Sequence, residues 1–289
     1  MIRQRARVAA RLPSPVLVLG GIVSVQLGSA VAKTLFDRAG PLGTTLLRLG
    51  AGAVVLLVIA RPRTRGRGWR QLLLVVAFGA ALAALNSSFY AAIDRIPIGV
   101  AVTIEFVGPL GVAVAGSRRL LDLAWVTLAA GGVVLLTRAG GGALDPLGLG
   151  LAACAGACWA GYILLSQRVG RAFAGAEGPA LATAVGAVLI APAGVAQAGA
   201  ALGEWPVLAV GAVVGLLSAA IPYSLEVEAL RRLPTRVFGV LMSLEPAVGA
   251  LAGLVVLGEA LRTREIAAIV LVSVASAGAA WADRRAPLD

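Results

Sequence analysis

The sequence predicts an all-α integral membrane protein: ten transmembrane helices arranged as two inverted five-helix repeats. Three observations carry this. Of 289 residues, 59% are hydrophobic and 13% charged, against about half and a quarter in soluble domains. The apolar residues come in long blocks, and a bilayer core about 30 Å thick needs roughly 20 of them at about 1.5 Å each. Finally, a shift of 137 residues lays one half of the chain on the other.

The spans expected in order are 15–36, 41–60, 71–93, 97–116, 121–137, 147–168, 179–198, 206–229, 235–257 and 265–282. Arg3, Arg5, Arg7 and Arg11 precede the first, as in a signal peptide. The run from Pro15 to Phe36 is longer than a signal core and lacks a clear cleavage site, so it reads as a helix. Short connectors marked by Pro or charge separate the rest, the longest charged one being 61–70. Placing the N-terminus inside puts 18 Lys and Arg on inside segments and five on outside ones (Arg38, Arg95, Arg138, Arg262 and Arg264), with Lys33 and Arg48 inside spans. That asymmetry places both termini in the cytoplasm and requires an even number of spans.

The 137-residue shift brings Ala92, Arg95 and Pro97 onto Ala229, Arg232 and Pro234, Pro109 onto Pro246, and Gly116 onto Gly253. The fourth span thus matches the ninth. Five spans per half make the repeat inverted, with repeats over 15–137 and 147–282. Secondary transporters are built this way, with the site at mid-membrane between the halves.

Charge inside a span is costly and marks candidate sites. Arg48 lies in span two, Glu105 in span four and Glu245 in span nine, each about 10–15 Å deep at about 1.5 Å per residue. The repeat offsets the two carboxylates by three residues, which keeps them on nearly one helix face. Pro109 frees the carbonyl of Glu105 and Pro246 that of Met242. Freed carbonyls lining a cavity suit an ammonium group. The plainer alternative is that Arg48 neutralises one glutamate and ties helices together. Two acids to one base still leave a carboxylate over for a cation or proton.

Glu226 and Glu228 lie near Arg231 and Arg232, either as a solvated rim or as a gate. Tyr223 follows Pro222, a second expected helix irregularity. Gln26 and Asn86 are polar residues in apolar spans, either bridging helices or lining the site. Trp159 and Tyr162 read as packing residues, with cavity lining as the alternative; Cys154 and Cys158 read as packing residues, as do the small-residue pairs Gly211/Gly215 and Gly249/Gly253.

The net charge of +11 sits in short connectors rather than on a basic face, which excludes nucleic-acid binding. The chain has no His, hence no imidazole relay, and proton coupling must use carboxylates. No P-loop pattern is present. No nucleophile with its base and no metal-ligand set is apparent, so neither an enzyme nor a cofactor is expected.

Residues 97–114 (PIGVAVTIEFVGPLGVAV), 221–226 (IPYSLE), 233–246 (LPTRVFGVLMSLEP), 24–33 (SVQLGSAVAK) and 46–49 (LLRL) together resemble the bacterial threonine/homoserine exporter group. That group belongs to the ten-helix drug/metabolite transporter superfamily, whose repeat is the EamA domain. The resemblance implies proton-driven efflux of threonine, homoserine or similar amino acids across the bacterial plasma membrane. It carries Arg48, Glu105, Glu226, Glu245 and Gln26 as family-pattern positions. Glu228 departs from the pattern, which is apolar there. The alternative is an exporter of the same fold for another metabolite or drug: an aromatic amino acid, a nucleoside or a cationic compound. The 5% aromatic content favours a small polar solute. Expected partners are that solute, protons, the lipid bilayer and a second copy of the chain in a homodimer.

Overall fold

The computed structural model describes residues 13–62, 67–115, 120–137, 144–230, 232, 233 and 235–282. Every regular element among them is helical. The helices are α1 (Ser14–Lys33), α2 (Phe36–Ala60), α3 (Trp69–Ile93), α4 (Ile98–Glu105), α5 (Val107–Ala115), α6 (Leu120–Thr137), α7 (Pro146–Ala172), α8 (Glu177–Ala198), α9 (Trp205–Gly215), α10 (Ile221–Leu230), α11 (Thr235–Met242), α12 (Glu245–Leu257) and α13 (Thr263–Ala282). A 3₁₀ turn (Gly199–Gly203) extends α8, and a π-helical turn (Leu216–Ala220) joins α9 to α10. Among the described residues, seven helical stretches are long and apolar enough to cross a membrane, one of them running from α11 through α12 (Val237–Leu257). Val54, Val188 and Val255 lie exposed on their outer faces at 63–79%. In water such surfaces would aggregate, and in lipid they are solvated.

Several expected spans change at their ends or middles. The first stops at Lys33, and Thr34–Leu35 turn directly into α2, which begins at Phe36 rather than at residue 41. Gly40 then takes the left-handed φ of 68° and Pro41 restarts the helix. Pro suits a first helical position because its missing N–H needs no partner there. The Gln197 side chain from α8 accepts hydrogen bonds from the Leu42 and Gly43 amides (2.6 and 3.4 Å), the part an N-cap residue plays. The buried Thr44 and Thr45 hydroxyls bond back to the Gly40 and Pro41 carbonyls, which seats this end of α2 two turns ahead of Arg48.

The segments expected as spans four and nine are each two short helices. One break falls at Phe106, the other at Ser243–Leu244. The 137-residue shift carries Phe106 onto Ser243. Pro109 and Pro246 sit in the first turns of α5 and α12, where a proline costs no helical bond of its own half. The carbonyl four residues back, however, loses its donor.

Close approaches fix the packing. A Cβ on Gly211 or Gly215 would stand 2.9 Å from Leu47 and 2.5 Å from Ala51, so these glycines let α9 lie on α2. At the α4–α5 break, a Cβ on Gly156 would stand 2.8 Å from the Glu105 carbonyl oxygen, and one on Gly108 would overlap Gly156. Thus α7 crosses the break backbone to backbone, as small residues permit in lipid. The Glu105 carbonyl freed by Pro109 therefore abuts α7. Cys154 is exposed on α7 rather than packed.

Candidate functional site

The two broken helices and their neighbours enclose a cavity of about 840 Å³, inside the roughly 300–1,000 Å³ range of small-molecule sites. Gln26 on α1, Arg48 on α2, Asn86 on α3, Glu105 at the end of α4, Glu226 on α10 and Glu245 at the start of α12 all line it. Pro109 and Pro222 line it too, while Pro246 is buried behind Glu245. Nothing is described for the Tyr223 side chain, so that expectation falls outside the described residues. Trp159 and Tyr162 also face the cavity, the alternative to their packing role. Trp159 meets Phe106 edge-on (5.3 Å) and Tyr162 stacks on Phe78 (4.8 Å).

Among the described residues, Arg48 makes no ion pair with a carboxylate. Its Nη1 donates to the Tyr90 hydroxyl at 3.1 Å, and its guanidinium lies over the Tyr90 ring, 5.3 Å from the centroid. Glu105 and Glu245 are 8% and 6% exposed, and among the described residues no side-chain hydrogen bond or ion pair fixes either one. Their helix positions differ. Glu245 opens α12, where the N-terminal dipole favours a negative charge, whereas Glu105 closes α4, where the dipole opposes it. Glu228 pairs with Arg232, but Glu226 instead lies against Gly21 on the cavity wall. The two acids thus separate into a rim pair and a cavity residue.

Proline chemistry shapes the opposite wall. In the π turn, the Ile221 amide bonds the Leu216 carbonyl, five residues back. The Leu217 carbonyl would need the amide of residue 221, already used, or of Pro222, which has none. The Ser24 hydroxyl of α1 donates to it instead, at 2.7 Å. The same turn holds the Ser218 hydroxyl at the cavity, where it and Gln26 Oε1 are buried polar atoms without a protein partner. Asn86 spends its amide on the Leu82 carbonyl of its own helix.

The cavity is one-sided. On α2 it runs from Arg48 to Leu56, on α7 from Trp159 to Gln167, and on α8 it touches Pro179 and Thr183. These stretches point toward the face where α2 passes to α3 and α7 to α8. On that face Arg67 pairs with Glu177, donates to the Ala172 carbonyl and lies over Phe173. The opposite face is tied shut by Lys33–Glu259 (2.6 Å), Arg38–Glu204 (3.1 Å) and Arg95–Asp145 (3.2 Å). In each pair the base lies before residue 100 and the acid after residue 140. Lys33, counted inside a span from sequence, stands at the end of α1. Glu259 also accepts the Ile98 amide at 2.9 Å, binding the start of α4. The Leu147 amide, and then the Arg95 guanidinium, hold the Asp145 carboxyl below its ordinary range.

The model of the EamA-like transporter family matches residues 146–281. The threonine/homoserine exporter RhtA of Salmonella typhimurium (strain SL1344) is 43% identical over 276 residues, covering 94% of this chain and 93% of the relative. RhtA of Escherichia coli (strain K12) is 42% identical over 272 residues, covering 93% and 92%. The chain belongs to the EamA-like transporter family. It is a multi-pass membrane transporter, not an enzyme. A solved crystal structure of a protein 21% identical to this EamA-like transporter aligns with a TM-score of 0.63 over 93% of this chain and 98% of its own, a likeness of fold.

Sequence reasoning passed over two groups. Tyr90 looks like one more bulky residue in an apolar run, although it follows Asn86 by four positions and so shares its helix face. Ser218 reads as a small residue until the π turn aims it at the cavity.

Proposed function

We propose that this transporter exports small neutral amino acids of the threonine and homoserine type, driven by protons, by alternating access. Its ten spans form two inverted five-helix repeats (15–137 and 147–282), with both termini in the cytoplasm of a bacterial plasma membrane. The observation that carries the reading is Arg48, held by the neutral Tyr90 hydroxyl, sharing one cavity with Glu105 and Glu245. An amino-acid zwitterion needs a base for its carboxylate and acids for its ammonium. Arg48 offers a planar fork to the carboxylate. Glu105, Glu226 and Glu245 face the ammonium, with Gln26 and Asn86 as further polar contacts. The exporters named above support the cargo, at 42–43% identity over most of both chains.

Three shorter apolar helices, Ile98–Val112, Ala124–Leu135 and Trp205–Ala219, stand where the remaining spans are expected. The breaks at Phe106 and Ser243 recur at the repeat interval. Both support five plus five. With the arginine-rich connectors inside, the cavity opens to the cytoplasm and the three ion pairs close the outside. Substrate enters from within, and the pairs part to release it. Protonation of the glutamates from outside then displaces the ammonium and resets the carrier.

Transport into proteoliposomes by Arg48→Gln, Glu105→Gln and Glu245→Gln tests the site, each variant checked for folding. Each is expected to lose most threonine transport. Full activity in all three would overturn it.

A further inference from the structure

We infer that Tyr90 is the positioning residue that aims Arg48 at the substrate carboxylate, which rests on the reading of Arg48 above. Tyr90 is wholly buried, at 0% exposure. Its ring packs against Phe36 (5.5 Å) and Phe89 (6.1 Å) within the apolar plug on the closed side of the cavity. Its hydroxyl meets Arg48 Nη1, and among the described residues no other hydrogen bond fixes that hydroxyl. The buried ring is held between Phe36 and Phe89, so the phenol oxygen is a fixed point from which the guanidinium hangs.

The choice of partner matters chemically. A carboxylate beside Arg48 would orient it but would also neutralise it, and an incoming substrate carboxylate would have to displace that partner. A neutral phenol accepts one of the five guanidinium N–H groups and leaves the charge intact. The remaining donors form the two-pronged face that binds a carboxylate through parallel hydrogen bonds. The ring face under the guanidinium adds a cation–π contact, which limits swinging toward Glu105 or Glu245. Tyr90 thereby keeps Arg48 oriented and its charge unneutralised in a cavity that it shares with Glu105, Glu226 and Glu245.

The experiment is threonine counterflow in proteoliposomes, with unlabelled threonine amide, which lacks the carboxylate, as a competitor. Wild type, Tyr90→Phe, Phe36→Leu, Arg48→Gln and the Tyr90→Phe/Arg48→Gln double variant are compared. Tyr90→Phe keeps the ring and removes the hydroxyl. It should raise the threonine KM about tenfold, the scale of one hydrogen bond to a charged group. It should leave kcat within about twofold and inhibition by the amide unchanged. The double variant should be no worse than Arg48→Gln alone. Phe36→Leu disturbs the packing and spares the hydroxyl, so it should leave the ratio of threonine to amide affinity at the wild-type value. An unchanged threonine KM in Tyr90→Phe overturns the inference. So does an equal loss of threonine and amide binding, or a ratio moved as far by Phe36→Leu. If Arg48→Gln keeps the wild-type preference for threonine over its amide, the reading of Arg48 falls instead.

Discussion

Replacing Lys33 with Met should unlatch the closed side of the cavity. Lys33 Nζ and Glu259 Oε1 are 2.6 Å apart, with side chains 22% and 14% exposed. The pair lies between surface pairs, worth about 0.2–1 kcal/mol, and buried pairs, whose rupture costs about 3–5 kcal/mol. Glu259 keeps its bond from the Ile98 amide, so the loss is partial, about 2 kcal/mol. At about 1.4 kcal/mol per decade, that raises the population open on this side about 30-fold. The assay places a single cysteine at Ser29, a cavity residue 1% exposed, after Cys154 and Cys158 are replaced by Ala. A membrane-impermeant maleimide is then added from the outside. Lys33→Met should speed labelling about 30-fold, and Lys33→Arg, which keeps the charge and leaves Glu259 on the Ile98 amide, should stay within a few-fold of wild type. An unchanged labelling rate in a folded Lys33→Met carrier would refute the reasoning.

Three further outcomes follow from the same structure. Glu105→Gln should abolish acceleration of export by an inward proton gradient while retaining some counterflow, because Glu105 sits where the α4 dipole opposes its charge; proton-driven and exchange fluxes measured side by side check this. Gly156→Leu should destabilise the fold by about 3 kcal/mol or more, since even a Cβ there stands 2.8 Å from the Glu105 carbonyl oxygen; thermal unfolding in detergent reads it. Gln197→Ala should cost about 1 kcal/mol, the loss of a helix cap, and lower the melting temperature by about 2–4 °C, with counterflow little changed.

Much of this molecule is written locally. Apolar runs and the connectors between them announce helices, because the bilayer demands about 20 apolar residues per crossing. Arg48, Glu105 and Glu245 stand out because charge is scarce in such runs, and the structure brings them to one cavity. Pro109, Pro222 and Pro246 announced irregular backbone. What they could not announce is how each freed carbonyl is used. Leu217 is answered by Ser24, 193 positions away, and Glu105 is met by the backbone at Gly156. The same limit hid Gln197, which caps a helix start 155 positions earlier. It also hid the Lys33–Glu259 latch, whose members lie 226 positions apart. Contacts of this kind depend on which helices become neighbours, and a single sequence states no neighbour directly. Tyr90 was missed for another reason: its ring belongs to the core while its hydroxyl serves the cavity, and hydropathy registers only the first.

Counterflow tests the central claim most directly. Proteoliposomes loaded with unlabelled threonine or homoserine are diluted into a trace of labelled threonine. Transient accumulation of label above equilibrium is expected, absent from empty liposomes and much reduced in Arg48→Gln. Accumulation driven instead by an aromatic amino acid, a nucleoside or a cationic compound, with none driven by threonine or homoserine, would contradict it.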